Sequence, residues 1–169
     1  MGVNQRAAIT MSDQEISEFL EQSRTVTLAS NGPSGLPHLV AMWYGLIDGK
    51  LYFETKAKSQ KVANLRRDPK IACMVEAGDT YDQLRGVSIE GTAVIIDDTA
   101  DDEYWACAQS VFERYNDAPS DGTDVRPILE FMMNKRVVVR VDPTRIRSWD
   151  HRKLGQQAMP LGGTTAKYL

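Results

Sequence analysis

The sequence is poor in the residue types that most often hold metal ions. Its 169 residues include two cysteines and two histidines, and no CxxC pair occurs. His38 and His151 are more than a hundred residues apart. Because zinc sites need closely spaced Cys and His ligands, we expect no metal site. Isolated cysteines in apolar stretches, here Cys73 and Cys107, are typical of a reducing compartment, so a cytoplasmic location is expected.

Several patterns that mark common protein classes are also missing. No run of about 18 apolar residues occurs, so no segment is expected to span a membrane. The formal net charge is −3, which disfavours a nucleic-acid partner. The chain has neither a GxGxxG nor a Walker loop, and it has no GxSxG turn. The usual dinucleotide, nucleotide and hydrolase signatures are therefore absent.

The charges that are present are distributed unevenly along the chain. From Lys135 to the end, eight basic residues stand against two acidic ones, which gives +6, while the preceding residues sum to −9. A basic C-terminal segment on an acidic body can bind an anionic small ligand or a partner chain. It can equally be a basic strand with one solvated face, and the charge count alone leaves both interpretations open.

Hydrophobic periodicity predicts a single, mainly β domain with peripheral helices. The predicted strands are Thr25–Ala29, Pro37–Leu46, Lys50–Thr55, Ile71–Glu76, Gly86–Ile96 and Arg136–Val141, with an exit from the last at Pro143. Ser12 and Glu15 form a capping-box pattern ahead of a first helix. Further helices are predicted after Ser59, after the acidic stretch 97–103 and around Ile128–Met133. Since most strands are joined by hairpins, an antiparallel barrel is favoured over a parallel Rossmann sheet.

The segment Phe53–Leu65 carries the strongest chemical signal. It reads as the end of a strand, a polar turn and the start of a helix, where backbone N–H groups lack partners and the helix dipole is positive. Two hydroxyls and three lysines surround this point: Thr55, Ser59, Lys56, Lys58 and Lys61. The combination suits a phosphate group. A capped surface helix with solvated lysines is the alternative.

Three segments together resemble the pyridoxamine phosphate oxidase-like, flavin-binding split-barrel superfamily. They are Ser59–Lys70, which has the form SQKVANLRRDPK, Pro37–Tyr44, and Val87–Ala93 with its V-x-x-x-G-x-A pattern. Their order and spacing agree over about residues 12–142. The resemblance implies a six-stranded antiparallel Greek-key split β-barrel that is homodimeric, with the cofactor in a groove between subunits. One domain is expected over residues 1–169, with a core at about 12–148 and a C-terminal extension at 149–169.

The resemblance also implies which residues bind the cofactor. Carried over by position, they are His38, Val40, Met42, Trp43, Thr55, Lys56, Lys58, Ser59, Lys61, Asn64, Arg85 and Trp149. The turn and helix start around Ser59 would hold the phosphate, the strand from His38 to Trp43 would line the ring system, and Trp149 would close the site. No catalytic residue is assigned, although Tyr81, Arg85 and His151 are candidates for a proton donor.

The turn sequence and short chain look most like the actinobacterial subgroup that uses the deazaflavin coenzyme F420. The resemblance then implies a reductase that transfers hydride from reduced F420 to an electron-poor small molecule. A basic edge of Arg145, Arg147, Arg152 and Lys153 would suit the anionic tail of this cofactor. Two alternatives stay open: an FMN-dependent oxidase or reductase, and a non-catalytic protein that binds flavin, F420 or haem.

Overall fold

The structure is a computed structural model that describes residues 5–117 and 124–164. The strands of these ranges are β1 (Val26–Asn31), β2 (Pro37–Met42), β3 (Gly45–Ile47), β4 (Lys50–Lys56), β5 (Lys70–Ala77), β6 (Arg85–Ile96) and β7 (Arg136–Asp150). The helices are α1 (Gln5–Ala8), α2 (Asp13–Gln22), α3 (Gln60–Arg67), α4 (Asp102–Tyr115) and α5 (Arg126–Met133). Two 3₁₀ turns cover Tyr81–Gln83 and His151–Leu154. The predicted mainly antiparallel β fold with peripheral helices is confirmed.

The sheet has seven strands in the order β2-β1-β5-β6-β7-β4-β3, so the predicted count of six is wrong. The predicted strand Pro37–Leu46 is in fact two strands. Pairing with β1 ends at Met42, opposite Val26, and pairing with β4 begins at Gly45. Between them the backbone N–H of Tyr44 donates to the hydroxyl of Tyr115 at 3.0 Å instead of to a strand. The two edge strands, β2 and β3, are thus consecutive in the chain.

Strand β7 is also longer than predicted, since it continues past Pro143 to Asp150. Residues 143–146 are exposed, and a proline is tolerated in a strand where its nitrogen faces no ladder partner. Gly91 of β6 lies against the carbonyl of Asp142, where a Cβ atom would overlap with it. Gly91 therefore allows a close approach of the β6 and β7 backbones.

The chain divides into two compact units, and β5, β6 and β7 each contribute residues to both. The smaller unit takes its described residues from 1–23, 74–88 and 146–169. The larger unit consists of residues 24–73 and 89–145. Within the described ranges, no helix is long and apolar enough to cross a membrane.

The core of the larger unit lies where α4 covers β3 and β4. Tyr52, Tyr104, Cys107, Val111, Phe112 and Val138 are among its buried members. A Cβ atom at Gly45 would lie 2.7 Å from the hydroxyl of Ser110, so the glycine allows α4 to approach β3 closely. Along β4 the side chains alternate, and Thr55 therefore faces away from the α4 side, opposite Val137 of β7.

The smaller unit is built on α2, whose capping box is confirmed. The backbone N–H of Ser12 donates to the Glu15 carboxylate at 2.6 Å, and the Glu15 N–H donates to the Ser12 hydroxyl at 3.3 Å. Phe19 and Leu20 are buried. The C-terminal part of β7 joins this unit through the N–H of Asp150, which donates to the Ile9 carbonyl at 2.7 Å.

Candidate cofactor site

The turn between β4 and α3 brings two hydroxyls and an ammonium group together. The Lys61 ammonium donates to Thr55 Oγ1 at 3.0 Å, and Thr55 Oγ1 lies 3.5 Å from Ser59 Oγ. Thr55 is buried at the end of β4, and Ser59 is the N-cap of α3. We call these three residues the cradle. Their clustering follows from the chain, because a short turn joins an inward-facing strand end to a helix start.

Lys61 is unusual because it is buried without a counter-ion. The residue is 9% exposed, and it forms no ion pair within the described part of the chain. Burial, and then the positive charge of Arg136, lower the pKa of its ammonium group. A buried charge without a partner costs free energy. An anion bound beside Thr55 would remove that cost.

The N-terminus of α3 adds further positive potential at the cradle. The Ser59 side chain makes no capping hydrogen bond, and no acidic residue stands in the first turn. The first N–H groups of a helix have no partners within the helix, and the dipole there is positive. An anion at this point could accept hydrogen bonds from the backbone, from two hydroxyls and from one ammonium group. That donor set suits a phosphate.

The other two lysines of the turn are placed differently. Lys56 is opposite Arg136 in the β4–β7 pairing, and its ammonium donates to the carbonyl of Asn134 at 3.3 Å. Strand alternation puts this side chain on the face opposite to Thr55. Lys58 is exposed on the turn. Of the five turn residues predicted to contact the phosphate, Thr55, Ser59 and Lys61 are therefore brought together.

Asn64 lies one helical turn after Lys61 and is fully buried. Its amide nitrogen donates to the Ser30 hydroxyl of β1 at 3.0 Å, and its amide oxygen accepts from Gln60 at 2.8 Å. The side chain thus joins α3 to β1 and fixes the helix that carries Lys61. Ser30 was not among the predicted site residues, because a serine at a strand end gives no distinct signal.

Strand β2 presents a half-buried face of His38, Val40 and Met42. His38 pairs across the sheet with Ser30, and its Nδ1 is buried without a hydrogen-bond partner. Trp43 follows the strand, is 56% exposed, and stacks on Tyr115 with ring centroids 4.2 Å apart. The predicted β2 residues therefore share one face as far as Met42, whereas Trp43 belongs to a stacked pair with a helix residue.

Arg85 and Trp149 belong to the smaller unit. The Trp149 indole packs on the backbone of Gly86, where a Cβ atom would overlap with the ring. Arg85 precedes that glycine, and its guanidinium lies over the Phe19 ring at 5.7 Å. Both predicted residues therefore adjoin Gly86, Trp149 through its ring and Arg85 as the preceding residue of β6.

Of the remaining candidates of the sequence, Arg145 belongs to the larger unit and the others lie in the smaller unit. His151 Nδ1 is 2.9 Å from the carbonyl oxygen of Tyr81, and the two rings meet edge to face at 4.5 Å. Arg152 pairs with Asp150 at 2.6 Å, and Lys153 pairs with Glu15 at 2.7 Å. Two residues of the expected basic edge are therefore already paired within the chain. No group of metal-ligating side chains occurs in the residues that the structure describes.

Comparison with known proteins gives one family and several similar structures. The family model of pyridoxamine 5'-phosphate oxidase matches residues 12–150. No curated protein matches the chain. The crystal structure of conserved hypothetical protein Rv2991 from Mycobacterium tuberculosis is 53% identical, with a TM-score of 0.88 over 96% of this chain and 99% of that one.

Two further structures share the fold at lower identity. An F420 reductase is 25% identical, with a TM-score of 0.55 over 77% of this chain and 94% of that one. A FAD-binding protein of Mesorhizobium loti is 19% identical, with a TM-score of 0.59 over 82% and 94%. The family match covers most of the chain and includes every predicted site residue. The chain belongs to the pyridoxamine 5'-phosphate oxidase family.

Proposed function

We propose that the chain is an F420-dependent reductase acting on an electron-poor small organic molecule. The observation that carries the proposal is Lys61, a buried ammonium group that lies beside two hydroxyls and has no counter-ion among the described residues. Proteins rarely bury such a charge unless a bound group compensates it. The cofactor phosphate would be that group.

Two groups of described residues in the larger unit fit such a cofactor, one at its phosphate and one along its ring system. Thr55, Ser59 and Lys61 would hold the phosphate, with the first turn of α3 supplying N–H donors. The half-buried face of β2, including His38, would lie along the ring system. When bound, reduced F420 supplies a hydride for addition to an activated C=C, C=N or C=O bond, and the chain supplies binding and orientation.

The choice of F420 over FMN is supported by the resemblance of the turn and by the similar F420 reductase. FMN is the second candidate, since the same cradle would hold its phosphate and the family name points to a flavin-type oxidase. Titrating the purified chain with F420 and with FMN, followed by cofactor fluorescence, separates the two. We expect the tighter binding with F420. Tighter binding of FMN would overturn the choice.

The Lys61→Ala variant tests the cradle directly. A hydrogen bond to a charged group contributes about 1.5–3 kcal/mol, so cofactor affinity should fall roughly tenfold to a hundredfold. Lys70→Ala, which changes an exposed lysine of the same unit, is the matched control and should keep its affinity. Unchanged affinity in Lys61→Ala would contradict the proposal that the cradle holds the cofactor phosphate.

Oxidation of reduced F420 with enone acceptors then tests catalysis. Tight binding without turnover would indicate a carrier protein.

We also propose that two copies of the chain form a homodimer in the cytoplasm. The edge strand β2 and the turn before it leave Leu36 and Leu39 71% and 65% exposed, and adjacent apolar side chains of this kind favour burial against a partner. Light scattering after gel filtration should give a dimer mass for the wild type and a monomer mass for Leu39→Asp. A monomeric wild type would disprove the dimer.

The two buried free thiols fit the reducing compartment that we propose for the protein, the cytoplasm.

A further inference from the structure

The smaller unit contains a cavity of about 200 Å³ that the proposed cofactor site does not use. Its apolar side chains are those of Met11, which precedes α2, and of Phe19 in α2. Each of the two residues is 6% exposed. Charged side chains from α2, from the start of β6 and from the end of β7 complete the wall. The lining is therefore mainly polar, with two apolar side chains among charged ones.

Arg85 is the basic group of this cavity that lacks a hydrogen-bond partner among the described residues, and its charge contributes to the lowered pKa of Asp150. The guanidinium forms no hydrogen bond or ion pair with the described residues, and its Nε atom is buried. Its nearest ring contact is Phe19, 5.7 Å from the guanidinium carbon. A guanidinium has five N–H donors, and leaving them unused in a half-buried position is unfavourable.

The other charges of the cavity are almost all compensated. Arg152 binds Asp150 with two guanidinium nitrogens, at 2.9 and 2.6 Å. Glu15 accepts from the Lys153 ammonium at 2.7 Å. Glu18 is exposed on α2 and forms a hydrogen bond with Gln14. The cavity therefore holds one guanidinium without a hydrogen-bond partner among the described residues. Its charge is attracted through space by Asp150, which is also bound by Arg152, and Met11, Phe19 and Glu18 complete its surroundings.

We propose that this cavity binds a small organic carboxylate, with Arg85 pairing with the carboxylate and Met11 and Phe19 contacting the apolar body. The planar fork of a guanidinium matches the two oxygens of a carboxylate. An engineered apolar cavity of about 150 Å³ is large enough for benzene. A cavity of about 200 Å³ can thus hold the ring of a one-ring acid. This inference does not rest on the cofactor, and it would name the substrate or effector class of the protein.

Benzoate and benzamide are suitable probes because they differ in charge but hardly in shape. The side-chain amide resonance of Gln22, which lines the cavity, reports on binding in ¹H–¹⁵N spectra of the cofactor-free chain. We expect benzoate to shift this resonance in a saturable way and benzamide to leave it unchanged. Equal binding of benzamide, or no saturable shift with benzoate, would overturn the proposal.

Three variants locate the interaction. Arg85→Gln should weaken benzoate binding at least tenfold, whereas Arg145→Gln, an exposed arginine of the larger unit, should not change it. Glu18→Gln should tighten binding by removing a like charge at the rim. If Arg85→Gln does not fold, Arg85→Lys keeps the charge but loses the fork, and it should show a smaller loss. Full affinity in either Arg85 variant would contradict the proposal.

The two proposals can fail independently. Lys61→Ala should leave benzoate binding unchanged while it weakens cofactor binding. Arg85→Gln, titrated with F420 in the absence of benzoate, shows whether the same arginine also contacts the cofactor. Loss of benzoate binding in Lys61→Ala would mean that the anion binds at the cradle, which would overturn the assignment to the cavity.

Discussion

Burial and the positive charge of Arg136 both disfavour the charged form of Lys61. The residue therefore lowers the stability of the unliganded protein while it serves the ligand. We predict that Lys61→Met raises the free energy of unfolding by about 1 kcal/mol, because a side chain of similar length replaces a buried charge. For a chain of this size that corresponds to about 2–4 °C in Tm. Differential scanning calorimetry measures the shift, with Lys70→Met as the exposed control.

Added ligand and a higher pH should both reduce the stability advantage of Lys61→Met over the wild type. Inorganic phosphate should raise the Tm of the wild type but not that of Lys61→Met, because only the wild type binds it at the cradle. Between the lowered pKa of Lys61 and its ordinary value, the unfolded chain binds more protons than the folded one, so wild-type stability gains as pH rises through that window. The variant lacks this gain. A Lys61→Met protein that is less stable than the wild type without ligand would contradict the account.

At the same scale, the sequence identified the cradle but not the direction of each side chain. Thr55, Ser59 and Lys61 could be predicted because a strand end followed by a helix start determines where they lie. The period of two along β4 also separates Thr55 from Lys56, a signal that was available in the sequence. The contacts of Asn64 and Trp43 could not be predicted, because their partners Ser30 and Tyr115 are more than thirty residues away in the chain.

Helix α3 has eight residues and is too short to be stable by itself in water. It is held by the buried side chains of Val62 and Leu65 and by the hydrogen bond from Asn64 to Ser30. We predict that Asn64→Ala lowers the free energy of unfolding by about 1–3 kcal/mol, since buried polar partners lose their hydrogen bonds. It should also weaken phosphate binding, because the helix that carries Lys61 is less firmly fixed.

A double-mutant cycle separates the contribution of the Asn64–Ser30 hydrogen bond from a general loss of packing. If Asn64 and Ser30 act through each other, Asn64→Ala combined with Ser30→Ala should cost clearly less than the sum of the two single changes. Urea unfolding of the four proteins gives the three differences. Strictly additive effects would show that the hydrogen bond between the two side chains contributes nothing.

The strand count is the element-scale feature that local patterns could not provide. Residues 37–46 read as one strand, because Leu39 to Tyr44 form an unbroken run of apolar and aromatic residues. The break at Trp43 and Tyr44 depends on which strand each half pairs with, β1 before the break and β4 after it. Such pairing joins distant parts of the chain, so it becomes visible only in the folded sheet. The long β7 is a similar case, since the exposure of residues 143–146 is what makes Pro143 acceptable.

At the scale of the whole molecule, the charge asymmetry of the sequence is partly cancelled inside each unit. Four of the eight basic residues after position 134 pair with carboxylates in the described part of the chain. The pairs are Arg136–Glu54, Arg140–Glu103, Arg152–Asp150 and Lys153–Glu15. The two interpretations left open by the charge count, a ligand edge or a solvated strand, thus gain a third: half of these charges form ion pairs within the fold. The net charge of a segment could not show this, because pairing depends on the fold.

Arg145 is the basic residue of this segment best suited to an anionic cofactor tail. It is exposed and forms no ion pair with the described residues of the chain. An exposed pair contributes about 0.2–1 kcal/mol, so Arg145→Ala should lower affinity for F420 with a long oligoglutamate tail by up to about fivefold. FMN has no such tail, and its affinity should not change. The difference in affinity should shrink in high salt, because exposed charges are screened.

Arg66→Ala removes an exposed arginine of the same unit that is paired with Asp97, and it controls for a general loss of positive charge. Equal losses for F420 and FMN, or an effect that salt does not reduce, would exclude Arg145 from the tail site.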